Sequence, residues 1–334
     1  MKAMLHQGSG EGRWLEEEDV PVPSPGPDEV LVKLETCGVC RTDLHIVEGD
    51  LPERKAKLIP GHEGVGIVVA RGEKVSFPDI GDRVGLPWLH GTCGRCEFCI
   101  SGRENLCREK RFTGYTVNGG FAEYATAQAS YVIPVPSSIT SADASPFLCS
   151  GIIGYRAFKL AESPPSGRLG LFGFGSSAHL IAQVAIKLGR SVAVISRGRN
   201  HLDLGLKLGA DQAVELSDAP ALLGGKLDAA IVFAPSGHVL KLALQCVKPG
   251  GTVTVPLIHI DSVGQMDYET HLFHERRLLT VEANTRSDAH EFMHLASTLG
   301  IRSVVTEFGL SDANHALLQM KMSKINGAAV LRII

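Results

Sequence analysis

Four cysteines fall within fifteen residues of this 334-residue chain, in the pattern Cys93-x2-Cys96-x2-Cys99-x7-Cys107. Glycines are interleaved with them, and a glycine-bearing loop can wrap four thiolates around one tetrahedral zinc ion. Four protein ligands leave no open position, so the pattern predicts a structural zinc site. The alternatives are four unrelated thiols and a nucleic-acid-binding zinc ribbon, but a ribbon would carry a basic or aromatic stripe that this sequence lacks.

Composition excludes several classes of protein. The 33 basic and 36 acidic residues give a net charge of −3 without a long like-charge block, which argues against nucleic-acid or membrane-surface binding. No apolar run approaches the roughly 20 residues of a membrane span. The residues after Met1 lack the apolar stretch of a signal peptide, so a cytoplasmic protein is expected. In a reducing compartment, spaced cysteines more often bind metal or do chemistry than form disulfides.

The chain changes character near Gly151. Residues 1–150 show short alternating apolar runs separated by Pro and Gly, which predicts a β-rich domain. From Gly151, apolar strands alternate with helical periods, which predicts βαβ units and a doubly wound parallel sheet. We therefore predict an α/β protein with a β-rich domain over 1–150, completed by 290–334, and a dinucleotide-binding domain over 151–289.

A looser set of metal-binding residue types comprises Cys40, His62 and Cys149. A catalytic zinc keeps three protein ligands and leaves its fourth position for water or substrate. Taken singly, each residue could instead be a buried core side chain, and the spacing alone does not decide between the two interpretations. A metal-bound His normally donates its other ring nitrogen to an acceptor, and Asp43 is a candidate for that role.

Three further polar residues adjoin this set. Thr42 and His45 could relay the proton that an alcohol must lose. Glu63, next to His62, could assist ligand exchange at the metal or could be a solvated charge.

A glycine-rich turn follows a predicted strand and opens a predicted helix, in the order Gly173-Phe174-Gly175-Ser176-Ser177-Ala178. Such small residues admit a pyrophosphate to a helix N-terminus, although a tight turn without a ligand is the alternative. An NAD site usually places an acid about 20 residues further on, to hold the adenine ribose. This strand ends instead in Ser196, Arg197 and Arg199. Because arginine matches phosphate geometry, we predict a preference for NADP, with NAD as the alternative.

Together these segments resemble the zinc-containing medium-chain alcohol dehydrogenases, most closely those of bacteria. The resemblance covers the Gly38–His45 and Gly61–Glu63 segments, the four-cysteine lobe, Cys149 and the glycine-rich turn. It implies a GroES-like catalytic domain, a Rossmann cofactor domain and two zinc ions per chain. In that pattern Cys40, His62 and Cys149 bind the catalytic zinc, and Cys93, Cys96, Cys99 and Cys107 bind the structural one.

The resemblance also implies an activity: hydride transfer between NADP(H) or NAD(H) and small, primary alcohols or aldehydes. The proton would pass through Thr42 and the nicotinamide ribose to His45, Arg41 would contact the pyrophosphate, and Trp88 would form a pocket wall. The expected assembly is a homotetramer or homodimer. A reductase of bulkier aldehydes, a polyol dehydrogenase and a non-catalytic zinc and dinucleotide sensor are the alternatives.

Overall fold

The computed structural model describes residues 1–8 and 14–333. The strands are β1 (Lys2–His6), β2 (Leu15–Asp19), β3 (Glu29–Val39), β4 (Gly64–Arg71), β5 (Arg83–Leu86), β6 (Leu89–Gly91), β7 (Arg111–Phe112), β8 (Tyr124–Gln128), β9 (Ile133–Pro134), β10 (Arg168–Phe172), β11 (Ser191–Ser196), β12 (Gln212–Glu215), β13 (Leu227–Val232), β14 (Val247–Val255), β15 (Arg277–Thr280), β16 (Val305–Gly309) and β17 (Ala328–Arg332). The helices are α1 (Arg41–Glu48), α2 (Glu97–Ile100), α3 (Ser141–Pro146), α4 (Ile152–Ala161), α5 (Ser176–Lys187), α6 (Arg199–Lys207), α7 (Ala219–Leu223), α8 (Gly237–Cys246), α9 (Tyr268–His271), α10 (Arg286–Leu299) and α11 (Ala313–Lys321). No helix in the described part of the chain is both long and apolar enough to cross a membrane.

The described residues form two compact units. The first comprises Met1–Ser150, Asn284–Ser297 and Ser303–Ile334, and the second comprises Gly151–Ala283 and Thr298–Arg302. Residues 284–289 thus belong to the first unit, whereas the sequence predicts a boundary after residue 289. The physical reason is an anchor at the start of α10, where the backbone N–H of Arg286 donates to Glu104 Oε1 at 2.9 Å.

The first unit contains a mixed seven-stranded sheet. Its order is β16-β17-β3-β4-β5-β9, with β8 also paired to β3. β16 and β17 are parallel, and the other pairs are antiparallel. The long strand β3 pairs with β17, β4 and β8. Its first part contributes Val32 to one buried cluster, and its last part contributes Cys37 to another.

The second unit contains a parallel six-stranded sheet in the order β12-β11-β10-β13-β14-β15. Counted within this unit, the order is 3-2-1-4-5-6, that of the Rossmann fold. The run Val192–Ile195 is fully buried, as expected for strands covered on both faces. The predicted fold class is confirmed, and β10 lies where the strand order reverses, the point at which such sheets bind ligands.

Candidate active site

The structure brings Cys40, His62 and Cys149 together in the first unit. Their ligand atoms all lie within 4.8 Å of one another. The two Sγ atoms are 3.9 Å apart, close to the separation of about 3.8 Å that sulfur atoms take on a tetrahedral zinc with bonds of about 2.3 Å. His62 is fully buried, and its Nε2 has no hydrogen-bond partner. A buried ring nitrogen without a partner, beside two thiols, fits a zinc ligand.

Local structure explains how each of these side chains is positioned. Cys40 is the N-cap of α1, and its sulfur accepts a hydrogen bond from the Thr42 amide. His62 precedes β4 by two residues, directly after Gly61, whose positive φ of 93° favours glycine. Cys149 lies in a π-helical turn over Phe147–Gly151, an irregularity frequent at functional sites.

Asp43 holds two of these residues in place. Its Oδ1 accepts hydrogen bonds from His62 Nδ1 at 3.0 Å and from the Gly61 amide at 3.1 Å, and its Oδ2 accepts from the Cys40 amide at 2.9 Å. The predicted contact with His62 is confirmed. Because Nδ1 donates to this carboxylate, Nε2 is the ring nitrogen that is available to a metal ion beside the two sulfurs.

The electrostatics of the cluster favour a bound cation. A hydrogen bond from Cys149 is the largest of the effects that hold the pKa of the Cys40 thiol well below its usual range. The neighbouring His62 ring and the Thr42 amide lower this pKa further. A thiolate is the form that binds zinc. The cluster therefore presents a thiolate, a second thiol and an imidazole, a donor set suited to zinc with one open position.

Glu63 is buried, with 1% of its surface exposed, so its interpretation as a solvated charge is wrong. Its Oε1 accepts hydrogen bonds from the backbone N–H and the hydroxyl of Ser150, both at 3.1 Å. Burial, with the nearby Cys40 sulfur, raises the pKa of Glu63 to about 8. No local pattern points to Ser150, since this contact spans 87 residues.

Thr42 and His45 lie three residues apart on α1, a spacing that puts both on one face of the helix. The Nδ1 of His45 is 2.7 Å from Asp50 Oδ2, a partner that sequence reasoning missed. His45 is largely buried, with 9% exposed, whereas Asp50 is exposed. Arg41, at the start of the same helix, is exposed, and its Nη2 lies 3.5 Å from the Met320 carbonyl.

The four-cysteine lobe closes as a compact cluster. The ligand sulfurs lie within 4.8 Å of one another, with separations of 3.9 Å between Cys93 and Cys99, 3.5 Å between Cys96 and Cys99, and 3.6 Å between Cys107 and Cys93. These values match a tetrahedral zinc–sulfur site, for which about 3.8 Å is expected. The residues present fit a structural zinc ion, with four thiols and no place left for a substrate.

Trp88 packs beside the three-ligand cluster. Its ring meets His62 edge-on at a centroid distance of 4.8 Å, and it stacks on Phe112 at 4.6 Å and on Tyr115 at 5.9 Å. Trp88 has 7% of its surface exposed. Sequence reasoning missed both stacking partners, because they reach Trp88 only when β7 pairs with β6 in the folded chain.

The glycine-rich turn joins β10 to α5 in the second unit. Gly173 has a φ of 90°, and a Cβ there would lie 2.9 Å from the Ala234 amide nitrogen, so this position requires glycine. Gly175 is the N-cap of α5, where a Cβ would meet only open space and no side chain caps the helix. Ser176 and Ser177 form the first turn, so their backbone amides are available to an anion.

The end of β11 carries the residues predicted to select the cofactor. Ser196 is buried with 6% exposed, while Arg197 and Arg199 are exposed. Arg199 Nε is 3.6 Å from Asp203, with both side chains mostly in solvent. Sequence reasoning missed His201, whose Nδ1 lies 3.3 Å from Ser196 Oγ.

Comparison with protein families defines a class that matches both units. Residues 26–137 match the alcohol dehydrogenase GroES-like domain, and residues 178–298 match the zinc-binding dehydrogenase domain. The chain is 44% identical over 324 residues to the protein named "Probable alcohol dehydrogenase AdhA" of Mycobacterium tuberculosis, covering 96% of this chain and 93% of that one. This chain belongs to the zinc-containing medium-chain alcohol dehydrogenase family.

Two solved structures bear on the cofactor. The acetophenone reductase of Geotrichum candidum, in complex with NAD, is 29% identical with a TM-score of 0.86, covering 99% of this chain and 97% of that one. A protein of Sinorhizobium meliloti bound to NADP is 26% identical with a TM-score of 0.88, covering 99% of each chain. Similar chains thus include an NAD complex and an NADP complex.

Proposed function

We propose that this protein is a zinc-dependent alcohol dehydrogenase and aldehyde reductase. The observation that carries the proposal is the buried His62, whose Nδ1 is held by Asp43 while its Nε2 points unpartnered at Cys40 and Cys149. That set has three ligands and therefore leaves one position for a substrate oxygen. The four-cysteine cluster is proposed as the structural zinc site of the same chain.

A zinc ion bound there would act as a Lewis acid that lowers the pKa of a substrate alcohol or polarises an aldehyde. The protein's part is to hold the three ligands and to move the proton. Thr42 and His45 supply a hydroxyl and an imidazole on one face of α1, and Asp50 orients the imidazole through Nδ1. Glu63, buried and next to His62 in the sequence, is proposed to assist ligand exchange.

The second unit is proposed to bind the nicotinamide cofactor, which accepts or donates the hydride. Gly173 and Gly175 would admit the pyrophosphate to the amides of Ser176 and Ser177, and Arg41 is proposed to neutralise its charge.

We propose that NADP is preferred over NAD. The end of β11 offers the Ser196 hydroxyl and two exposed guanidinium groups, Arg197 and Arg199, with His201 against the serine. These groups suit a 2′-phosphate, and the run from Ser196 to Arg199 contains no carboxylate to hold the ribose hydroxyls of NAD.

Small primary alcohols and their aldehydes are the proposed substrates. Trp88 stacks on both Phe112 and Tyr115, so the indole beside His62 cannot move aside without breaking two ring stacks. A rigid indole next to the metal ligands favours a small group on the carbinol carbon.

The proposed assembly is a homodimer or homotetramer built by the nucleotide-binding units. β15 is the edge strand of the parallel sheet, and an edge strand is a ready template for pairing with another chain. Exposed apolar side chains lie on or near it, namely Leu279, Tyr268 and Phe273. Light scattering after gel filtration would give the assembly, and a purely monomeric protein would refute it.

Activity is tested by hydride transfer with short alcohols and aldehydes, using NADP(H) and NAD(H) in parallel, before and after zinc chelation. Chelator-sensitive turnover with a higher kcat/KM for NADPH supports both the zinc-dependent activity and the preference for NADP. Faster turnover with NADH refutes the cofactor preference and keeps the enzyme class. Zinc-loaded protein that turns over no small substrate would refute the proposed substrate class.

A further inference from the structure

A hydroxyl contacts one sulfur of the four-cysteine cluster. The Oγ1 of Thr92 lies 3.3 Å from Cys99 Sγ and 2.6 Å from the phenol oxygen of Tyr131. Thr92 follows β6, and Tyr131 ends the helical turn after β8, so the two residues are brought together only by the fold. Tyr131 is buried, with 8% exposed.

Counting protons gives this contact a direction once a metal is bound. A zinc-bound cysteine is a thiolate and has no proton to donate. The single proton of the Thr92 hydroxyl is therefore available to Cys99, and the Tyr131 hydroxyl then donates to Thr92 Oγ1. Each of the two hydroxyls then donates one hydrogen bond, Tyr131 to Thr92 and Thr92 to Cys99. A hydrogen bond to a charged acceptor is stronger than one between neutral groups.

The Tyr131 end of this hydrogen-bond chain contacts an ion pair between Glu104, which is buried, and Arg286, whose side chain is 45% exposed. The guanidinium of Arg286 lies 5.0 Å from the centroid of the Tyr131 ring, and its Nε is 3.3 Å from Glu104 Oε1. Glu104 also accepts the backbone N–H of Arg286, and its side chain is 5% exposed. Because Glu104 precedes Cys107 by three residues, the cysteine lobe and the phenol are tied to the same arginine at the start of α10.

We propose that Thr92 and Tyr131 are positioning residues of the proposed structural zinc site, which donate a relayed hydrogen bond to the Cys99 thiolate and slow the loss of the metal. The inference rests on the proposal that the four-cysteine cluster binds zinc. Hydrogen bonds to metal ligands set the orientation and electron density of those ligands, and their loss typically weakens metal binding by about 10- to 100-fold.

The test uses full-length protein in which Cys149→Ser disables the three-ligand site. Three variants are compared in that background: Thr92→Val, Tyr131→Phe and Thr92→Ser. The matched control is Ser101→Ala, because the Ser101 hydroxyl lies in the same lobe but donates to the Phe98 carbonyl and not to a sulfur. Zinc release to a chromogenic chelator should be about tenfold faster in Thr92→Val. Tyr131→Phe should have a smaller effect because Thr92 can still donate, and Thr92→Ser and the control should match the parent.

A spectroscopic readout separates the hydrogen bond from a general loosening of the lobe. With cobalt in place of zinc, the thiolate-to-metal charge-transfer band should move to longer wavelength in Thr92→Val, because removing a hydrogen bond raises the energy of the sulfur lone pairs. It should return to its parental position in Thr92→Ser. An unmoved band together with unchanged zinc release in Thr92→Val would overturn the inference. Absence of metal from the four-cysteine cluster of the wild type would overturn the proposed zinc site itself, and the inference with it.

Discussion

The two cysteine-containing clusters of the first unit are built in opposite ways. The four-cysteine cluster takes all its ligands from one segment, and the sequence separation between Cys93 and Cys107 is 14 residues. The three-ligand cluster joins Cys40 to Cys149 across 109 residues. Both clusters contain partly exposed cysteines, but the three-ligand cluster adds His62, which is fully buried.

This difference separates two physical tasks. A loop with four thiolates has little apolar core of its own, so a bound metal supplies stability to it directly. The three-ligand cluster is held by the sheet, by α1 and by Asp43, so its geometry is set before any metal binds. One cluster therefore should stabilise the fold, and the other should support chemistry at an open coordination position.

The largest expected effect is on turnover. His62→Ala or Cys149→Ser should lower kcat/KM by at least about a thousandfold, because Lewis-acid stabilisation by a metal contributes several kcal/mol. Both variants should lose about half of the bound zinc. The control is Cys37→Ala, which removes a fully buried sulfur that belongs to neither cluster. Near-normal turnover in either ligand variant would refute the assignment.

The next effect is on stability. Cys96→Ser should lower the melting temperature by about 10 °C, since a loss of a few kcal/mol corresponds to roughly 2–4 °C per kcal/mol in a domain of this size. The kcat of the molecules that remain folded should stay close to that of the wild type. Arg95→Ala is the control in the same lobe, because its side chain is 81% exposed. If Cys96→Ser abolished turnover while leaving the melting temperature unchanged, the proposed division of tasks would be reversed.

A smaller effect is expected from Asp43→Asn. Replacing the carboxylate weakens its hold on the His62 ring and on the Cys40 amide, so zinc affinity of the three-ligand cluster or kcat/KM should fall by about 10- to 100-fold. The measurement is zinc titration together with steady-state kinetics. Thermal stability with the structural zinc bound should change less than in Cys96→Ser, and a variant with wild-type affinity and kinetics would show that Asp43 has no such role.

The smallest effect concerns the order of metal loss. A limiting amount of chelator should remove activity before it lowers the melting temperature, because a metal with three protein ligands and one exchangeable position is lost more easily than one with four thiolates. Parallel assays of turnover, zinc content and melting on the same samples give the order. If the melting temperature fell before activity was lost, the proposed difference between the two zinc sites would be contradicted.

Much of the fold could be predicted from the sequence because the patterns that indicate it are local. The alternation of apolar strands and helices after Gly151 predicts a parallel sheet, and the structure shows β10–β15 in Rossmann order. The glycine-rich turn is predicted between a strand and a helix, and it joins β10 to α5. The sequence predicts that the start of α10 belongs to the second unit, but the structure places it in the first. The sequence could not show this, because the contact of Arg286 with Glu104 spans 182 residues and leaves no local pattern.

The sequence by itself determined the ligand inventory: the four clustered cysteines, the residue types of the second set and the absence of an acid between Ser196 and Arg199. These are properties of residue type and short spacing. Only the tertiary structure decided that Cys40, His62 and Cys149 converge, that Glu63 is buried against Ser150, and that Trp88 stacks on two rings. Convergence depends on strand pairing and burial between residues far apart in the chain, and no local pattern encodes those distances.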